Sequence, residues 1–310
     1  MRVARALGWV LVVLLTALIV VRWAGWDNWT PLVQAMVFIP YLGGVCLVAL
    51  AVTFFSHRRR LAIFLLIVLI AYFAALMPRW AVEPPSKAQG SMLTVMTANL
   101  HDGGADPADL VRRVVAVRPD VLAVQELTPG EATALDRAGI GRYLPSRVLR
   151  TGAAASGSGI YARGQLSGGR EMAPSSTFHM ARASLSVGSV VLDIVSVHTR
   201  PPMWTDSTPD WFRDLGLLPR PGRTGTQLLL GDFNATQDQH AFRDLEDAGY
   251  RDAGITVGAG LKPTWYKPWM VPPVTFDHVL TDKPLRATAV HTYPLRGSDH
   301  HILTAQLTTN

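Results

Sequence analysis

The chain predicts an α/β sandwich carried behind three membrane-spanning helices, and three observations lead there. The apolar excess of its 310 residues sits at the front, in runs over residues 6–21, 31–55 and 61–77. The remainder alternates short apolar runs with amphipathic ones, as strands and helices sharing one core do. Acidic, amide and imidazole side chains fall just after several of the strand-like runs, so chemistry is expected along one sheet edge.

A spanning helix needs about 20 apolar residues, within a range of roughly 17–25. The first and third runs are at the short end, but Trp23, Trp26, Trp29 and Trp80 suit an interfacial belt. No small-residue cleavage site follows Val21, which argues against a removed signal peptide. The second run is too long for an ordinary core helix. Arg2 and Arg5 precede the first run, and His57, Arg58, Arg59 and Arg60 separate the second from the third. Positive flanks stay in the cytoplasm. The expectation is a multi-pass cell-membrane protein with a cytoplasmic N-terminus and everything after Trp80 outside the cytoplasm. Arg22, Arg79 and Lys87 lie on the outer side, where the first two can snorkel. The expected divisions are an anchor over 1–80, a Pro-, Gly- and Ser-containing linker over 81–91, and a catalytic domain over 92–310.

The net charge of +6 resembles a nucleic-acid signal until it is divided. Residues 1–89 hold eight basic and two acidic side chains; residues 90–310 hold 21 of each. The basicity therefore serves membrane topology, and a neutral domain lacks the footprint that duplex binding requires. The single cysteine, Cys46, lies in the second run, so the domain has no disulfide and relies on its core.

Within the domain, a strand over 92–98 ends at Asn99. A helix over 107–117 follows, with Asp106 as its N-cap. A buried strand over 120–124 ends at Gln125-Glu126, and a short helix covers 131–138. The Gly-, Ala- and Ser-rich stretch 152–159 reads as a loop before a strand over 159–163. Strands near 180–187 and 190–197 are joined by a Gly188-Ser189 turn. A strand over 227–231, a helix over 239–248, and strands near 276–281, 286–292 and 302–308 complete the chain.

The candidate chemistry sits at the ends of these strands. Asn99 and Glu126 each close an apolar strand, and a hard cation such as Mg²⁺ takes one or two carboxylates while keeping several waters. His198 closes another strand and can donate to a phosphate oxygen. In Gly231-Asp232-Phe233-Asn234, Asp232 can orient or deprotonate an attacking water. Asn234 can hydrogen-bond a phosphate as charge develops, and Phe233 points into the core. Asp277 can fix the tautomer of His300, and Asp299 can hold the metal directly or through water. His278 and His301 read as structural. The set indicates metal-assisted hydrolysis of phosphate esters or anhydrides.

Thr-Ala-Asn-Leu, Val-Gln-Glu-Leu, Val-His-Thr, Gly-Asp-Phe-Asn, Asp-His-Val-Leu and Ser-Asp-His-His occur here in that order. The ordered set resembles the endonuclease/exonuclease/phosphatase superfamily over nearly all of residues 92–308. The resemblance implies an α+β fold, a four-layer α-β-β-α sandwich with a Mg²⁺ site on one edge, Mn²⁺ being the alternative ion. By matching position, Asn99, Glu126 and Asp299 form the metal region, and Asp232 and Asn234 position water and phosphate. Asp277 and His300 form the family's Asp–His pair, and His198 contacts phosphate. Tyr161-Ala162-Arg163 departs from the family's usual Leu-Ser-Arg or Leu-Ser-Lys. The domain is also short and has no obvious basic insertion for gripping DNA, which weakens a nuclease assignment.

Fold does not give substrate. The bilayer tether and the aromatic segments 202–218 and 264–270 favour a phosphorylated lipid. The layout resembles membrane-anchored bacterial members, including teicoplanin-resistance proteins of the VanJ type, which implies a lipid-linked phosphate or pyrophosphate such as an undecaprenyl carrier. An extracellular DNA or RNA nuclease and a sphingomyelinase-like phosphodiesterase are the alternatives. A non-enzymatic binding module would show loss of a site residue, and none is lost. A serine esterase would need a Gly-x-Ser-x-Gly elbow, and none is evident. The expected partners are the bilayer and its lipid, with no obligate protein partner.

Overall fold

The computed structural model describes residues 2–82, 90–222, 225–267 and 272–309. Residues 83–89, most of the expected linker, lie outside them. In chain order the N-terminal helices are α1 (Arg2–Ala24), α2 (Thr30–Met36), α3 (Ile39–Phe55) and α4 (Arg59–Leu76). The domain follows as β1 (Met92–Asn99), α5 (Pro107–Val117), β2 (Val121–Gln125), α6 (Pro129–Arg137), β3 (Ser146–Arg150), β4 (Ser158–Ala162), β5 (Leu166–Glu171), β6 (Ala181–Val187) and β7 (Val190–His198). It closes with α7 (Ser207–Gly216), β8 (Thr226–Asp232), α8 (His240–Asp247), β9 (Arg251–Asp252), α9 (Ala253–Thr256), β10 (Asp277–Thr281), β11 (Leu285–Pro294) and β12 (His301–Thr309).

Two six-stranded mixed sheets form, in the orders β11-β12-β1-β2-β4-β3 and β5-β6-β7-β8-β10-β9. Their inner faces meet through Val95, Val121, Ile160, Ile194, Leu228 and Val279, all essentially buried. The outer face of the first sheet packs on α5 and α6 through Leu110, Val114 and Leu135. The outer face of the second packs on α7 and α8 through Trp211, Leu215, Phe242 and Leu245. The result is the four-layer α-β-β-α sandwich. Asp106 caps α5 by accepting from the amides of Ala108 and Asp109, as its position before the periodic run predicts.

Each sheet contains one parallel pair at its centre, β1 with β2 and β7 with β8. All four strands carry their C-terminal ends to the same edge, where Asn99 pairs in register with Gln125 and His198 with Asp232. Gln125 ties the sheets together there: its amide donates to Ser196 Oγ at 3.0 Å and accepts from Thr97 Oγ1 at 3.1 Å.

The segment 31–55 is not the single span that continuous hydropathy predicts. It forms two helices, α2 and α3, bent by 69°. Pro40 gives the reason. A proline inside a helix clashes with the carbonyl four residues back, here that of Met36, so the helix stops there and restarts with Pro40 in its first turn. Two helices, Ala6–Ala24 and Arg59–Arg79, are long and apolar enough to cross a membrane, and the bent pair supplies a third candidate. They pack on each other through Val12, Leu15, Ile19, Cys46, Leu65 and Tyr72. Leu14, Val48, Val52, Phe64 and Ile67 remain exposed on the outside. The segment 202–218, expected as a loop, contains α7, and its Trp211 is a core residue donating to the carbonyl of Phe233. Strands β3 and β5 are additional to those expected; their half-exposed residues lack clean alternation.

Candidate active site

Asn99 lies at the centre of the edge. Fully buried, it donates from Nδ2 to Glu126 Oε1 at 2.9 Å and to Asp232 Oδ2 at 3.0 Å. It thus holds together two carboxylates from different sheets. Its Oδ1 accepts from the amide of His101, and Ser298 Oγ donates to its carbonyl. Asp232 Oδ1 accepts from the amide of Asn234 at 2.8 Å, and Asn234 Nδ2 donates to the carbonyl of Thr199 at 2.9 Å.

Two histidines close the cluster. His198 Nε2 stands 3.7 Å from Glu126 and 3.9 Å from Asp232. His300 Nδ1 is 2.8 Å from Asp277 Oδ2, while its Nε2 is 3.6 Å from Asp232. The backbone amide of Asp277 in turn donates to Thr264 Oγ1. The seven residues Asn99, Glu126, His198, Asp232, Asn234, Asp277 and His300 therefore converge. Asp299 belongs to neither metal-capable group: its Oδ2 accepts from Trp265 Nε1 at 3.0 Å and its Oδ1 is 3.4 Å from His101 Nδ1. His278 is buried between Asp252 and the carbonyl of Ala235, and His301 stacks on Tyr266.

The backbone is strained here. His101, Asp102, Glu126 and Asn234 all take positive φ, between 45° and 58°. Such conformations cost non-glycine residues energy and persist where the surroundings over-determine them. Gly231 has φ 146°, and a Cβ on it would stand 2.0 Å from the carbonyl oxygen of Val197. Only glycine lets β8 approach β7 closely enough to align Asp232 with His198.

The two imidazoles are electrostatically opposite. Burial, with His300 nearby, pushes His198 down to about 3, so it is neutral. Burial also opposes charge on His300, but Asp277 and Asp232 outweigh it and raise the group to about 10. Burial, with Asp277 and Glu126 close by, raises Asp232. Environments that separate like groups in this way assign acid and base roles.

Sequence reasoning missed three contributors. The Asp102 carboxyl is raised by partial burial and by Glu126 beside it, and the amide of Asp102 donates to Glu126 Oε2 at 2.5 Å. Its signal was the His-Asp-Gly-Gly turn directly after Asn99-Leu100. His101 faces Asp299 from the same turn. Phe178 lays its ring 4.8 Å from that of His198, and nothing in its sequence surroundings marks it.

A model of the Endonuclease/Exonuclease/phosphatase family matches residues 96–300. The chain belongs to that family. With it comes metal-dependent hydrolysis of phosphoesters. A family protein from Leptotrichia buccalis C-1013-b shares 17% identity at a TM-score of 0.55, covering 69% of this chain and 99% of its own. Humanized D. rerio TDP2 gives 15% identity and 0.57, covering 70% and 99%. An AP endonuclease from Archaeoglobus fulgidus gives 14% and 0.57, covering 69% and 98%. At these identities the likeness carries the fold alone. A search of curated proteins found no match.

The residues of this phosphoesterase fit a divalent cation. Glu126, His198 and Asp232 each offer a ligand atom within 4.8 Å of the others, and so do Asp232, Asp277 and His300. Asp277 Oδ1 is buried without a hydrogen-bond partner among the described residues. Carboxylates crowded at one buried edge suit a hard cation. Glu126, steadied by Asn99, would hold it. When bound, such an ion polarises a phosphoryl oxygen and stabilises the leaving oxygen. Asp232, raised toward neutrality, is placed to take the proton of an attacking water. His300, held cationic by Asp277, stabilises developing negative charge. Neutral His198 supplies a hydrogen bond without adding charge.

Proposed function

We propose that this phosphoesterase is tethered to the cell membrane with its domain outside the cytoplasm, and that it hydrolyses a lipid-linked phosphate or pyrophosphate, with Mg²⁺ as its ion. The observation that carries the reading is the seat of the anchor on the active-site loop. Gln34 of α2 donates from Nε2 to the carbonyls of Met203 at 2.8 Å and Pro202 at 3.2 Å. Those residues lie on the loop that leaves His198. Val33 is fully buried in the core of α7 and α8, and its carbonyl accepts from Gln239.

The site is thereby held close to where the apolar helices end. Met203 and Trp204 are 57% and 67% exposed, Trp23, Trp26 and Trp29 are also exposed, and Thr30, next to Trp29, donates to the carbonyl of Trp204. Aromatic side chains favour the headgroup level. Trp211 does not contribute, being core, and residues 268–270 of the second aromatic segment lie outside the described residues. The topology also fits. Arg22 and Arg79 put the last turn of α1 and the end of α4 against the domain, so Arg58, Arg59 and Arg60 at the start of α4 lie at the far end.

The test is Mg²⁺-dependent phosphate release from undecaprenyl pyrophosphate by purified full-length protein, with Asp232→Ala as control. Release that vanishes in the variant supports the reading. No release from folded protein removes this substrate, and nicking of plasmid DNA by the same sample would establish the nuclease alternative.

A further inference from the structure

A cavity of about 230 Å³ opens where the anchor meets the domain. On one side are Pro40 and Tyr41, in the first turn of α3, and Arg79, just after α4. On the other are Gln237 and Asp238, between β8 and α8, together with Val274. None of the catalytic cluster lines it.

Three of its buried polar atoms are unsatisfied. Gln237 is 5% exposed, yet neither its Nε2 nor its Oε1 has a partner among the described residues, and Oδ2 of fully buried Asp238 has none. Native proteins rarely bury such groups without a ligand or an ordered water to pair with them. The charge is also uneven. Arg22 and Arg79 both pair with Asp238, at 2.7 and 2.5 Å, leaving one net positive charge in this triad. The wall therefore presents a cation, one free amide donor and two free acceptors.

We infer that this cavity binds the phosphoglycerol headgroup of a bilayer lipid. Its phosphate faces the Arg79 side, and its hydroxyls donate to Gln237 Oε1 and Asp238 Oδ2. The volume is below the roughly 300–1,000 Å³ of ordinary small-molecule sites, so a headgroup enters and the acyl chains stay outside. They run along α3, where Leu47, Val48 and Val52 are exposed. A zwitterionic choline headgroup has no hydroxyl to satisfy the two acceptors and brings a further cation beside the Arg22–Asp238–Arg79 triad, which already carries one net positive charge. The lipid is bound here and not hydrolysed. The inference rests on the membrane reading above.

Full-length protein is purified in mixed vesicles of equal phosphatidylglycerol and phosphatidylcholine, extracted in mild detergent, and its retained lipid weighed by native mass spectrometry. The expected result is about a tenfold preference for phosphatidylglycerol, falling to parity in Gln237→Leu and in Val274→Phe, with near-ultraviolet circular dichroism confirming each fold. Equal retention by the wild type would mean a cavity filled by water and would overturn the inference. So would a preference that survives in both folded variants, which places the lipid elsewhere. Displacement of the lipid by millimolar soluble glycerol 3-phosphate would overturn the lipid as the source. Phosphate release is measured on the same samples. Selective retention without turnover leaves this site standing and removes the proposed substrate; turnover without selective retention does the reverse.

Discussion

Asp277 and His300 form a buried pair, Oδ2 to Nδ1 at 2.8 Å, across two β-sheets. The pair holds a charge that burial alone would remove. With His300 raised to about 10 and its ordinary value near 6.5, the linkage has a definite sign. The group's contribution to stability is fully present below pH 6.5 and is lost as pH rises toward 10. In Asp277→Asn the imidazolium loses its partner, so its titration moves down. The alkaline limb of the kcat–pH profile should then shift to lower pH, and kcat at neutral pH should fall about 10²–10⁴-fold. An unchanged alkaline limb would show that His300 does not act as a cation.

Asp232, Glu126 and Asp277 crowd negative groups into a buried edge. A divalent ion that binds only the folded state raises stability by mass action, by about 2.7 kcal/mol at a hundred times its Kd. Mg²⁺ should therefore raise the thermal midpoint of the wild type, and Mn²⁺ should do so too. Glu126→Ala should abolish most of that rise, and chelation should stop turnover in the wild type. A midpoint indifferent to both ions would contradict a metal at this edge.

Much of this edge is legible because strand ends announce themselves. Asn99, Glu126, His198 and Asp232 each follow an apolar run, and parallel pairing of β1 with β2 and of β7 with β8 brings such ends together. The seat of the N-terminal helices on the sandwich is not legible in this way. Arg22 and Asp238 are 216 residues apart, and no periodicity relates them. Hydropathy reads 31–55 as one run because Pro40 is apolar; its effect is on backbone geometry, and it leaves α2 free to dock sideways on α7 and α8. His101 and Asp102 stay hidden because a turn at positive φ, not a strand, delivers them.

Gly231 is the tightest point of the edge. Alanine there would meet the Val197 carbonyl oxygen at 2.0 Å and keep a φ that L-residues avoid. Neither strand can yield, since both are central in the second sheet. Gly231→Ala should destabilise by about 2–3 kcal/mol or more, read as a lower thermal midpoint. It should also lower kcat by displacing Asp232. Gly216→Ala, where a Cβ meets nothing within 4 Å, should do neither.

Asp238 decides whether the N-terminal helices and the sandwich act as one body. Its carboxylate is the shared partner of Arg22 from α1 and Arg79 beyond α4, and all three are buried. Removing one partner of a buried ion pair costs about 3–5 kcal/mol, because the other charge is left uncompensated. In Asp238→Asn two guanidiniums lose the carboxylate they share, so the loss should fall on the junction. The core of the sandwich contains none of these groups and should keep its own fold. The Michaelis constant for a substrate embedded in vesicles should therefore rise several-fold, while kcat on a short-chain, water-soluble analogue stays near the wild-type value. Equal losses on both substrates would place the damage in the catalytic edge and would contradict a role confined to seating the domain on its anchor.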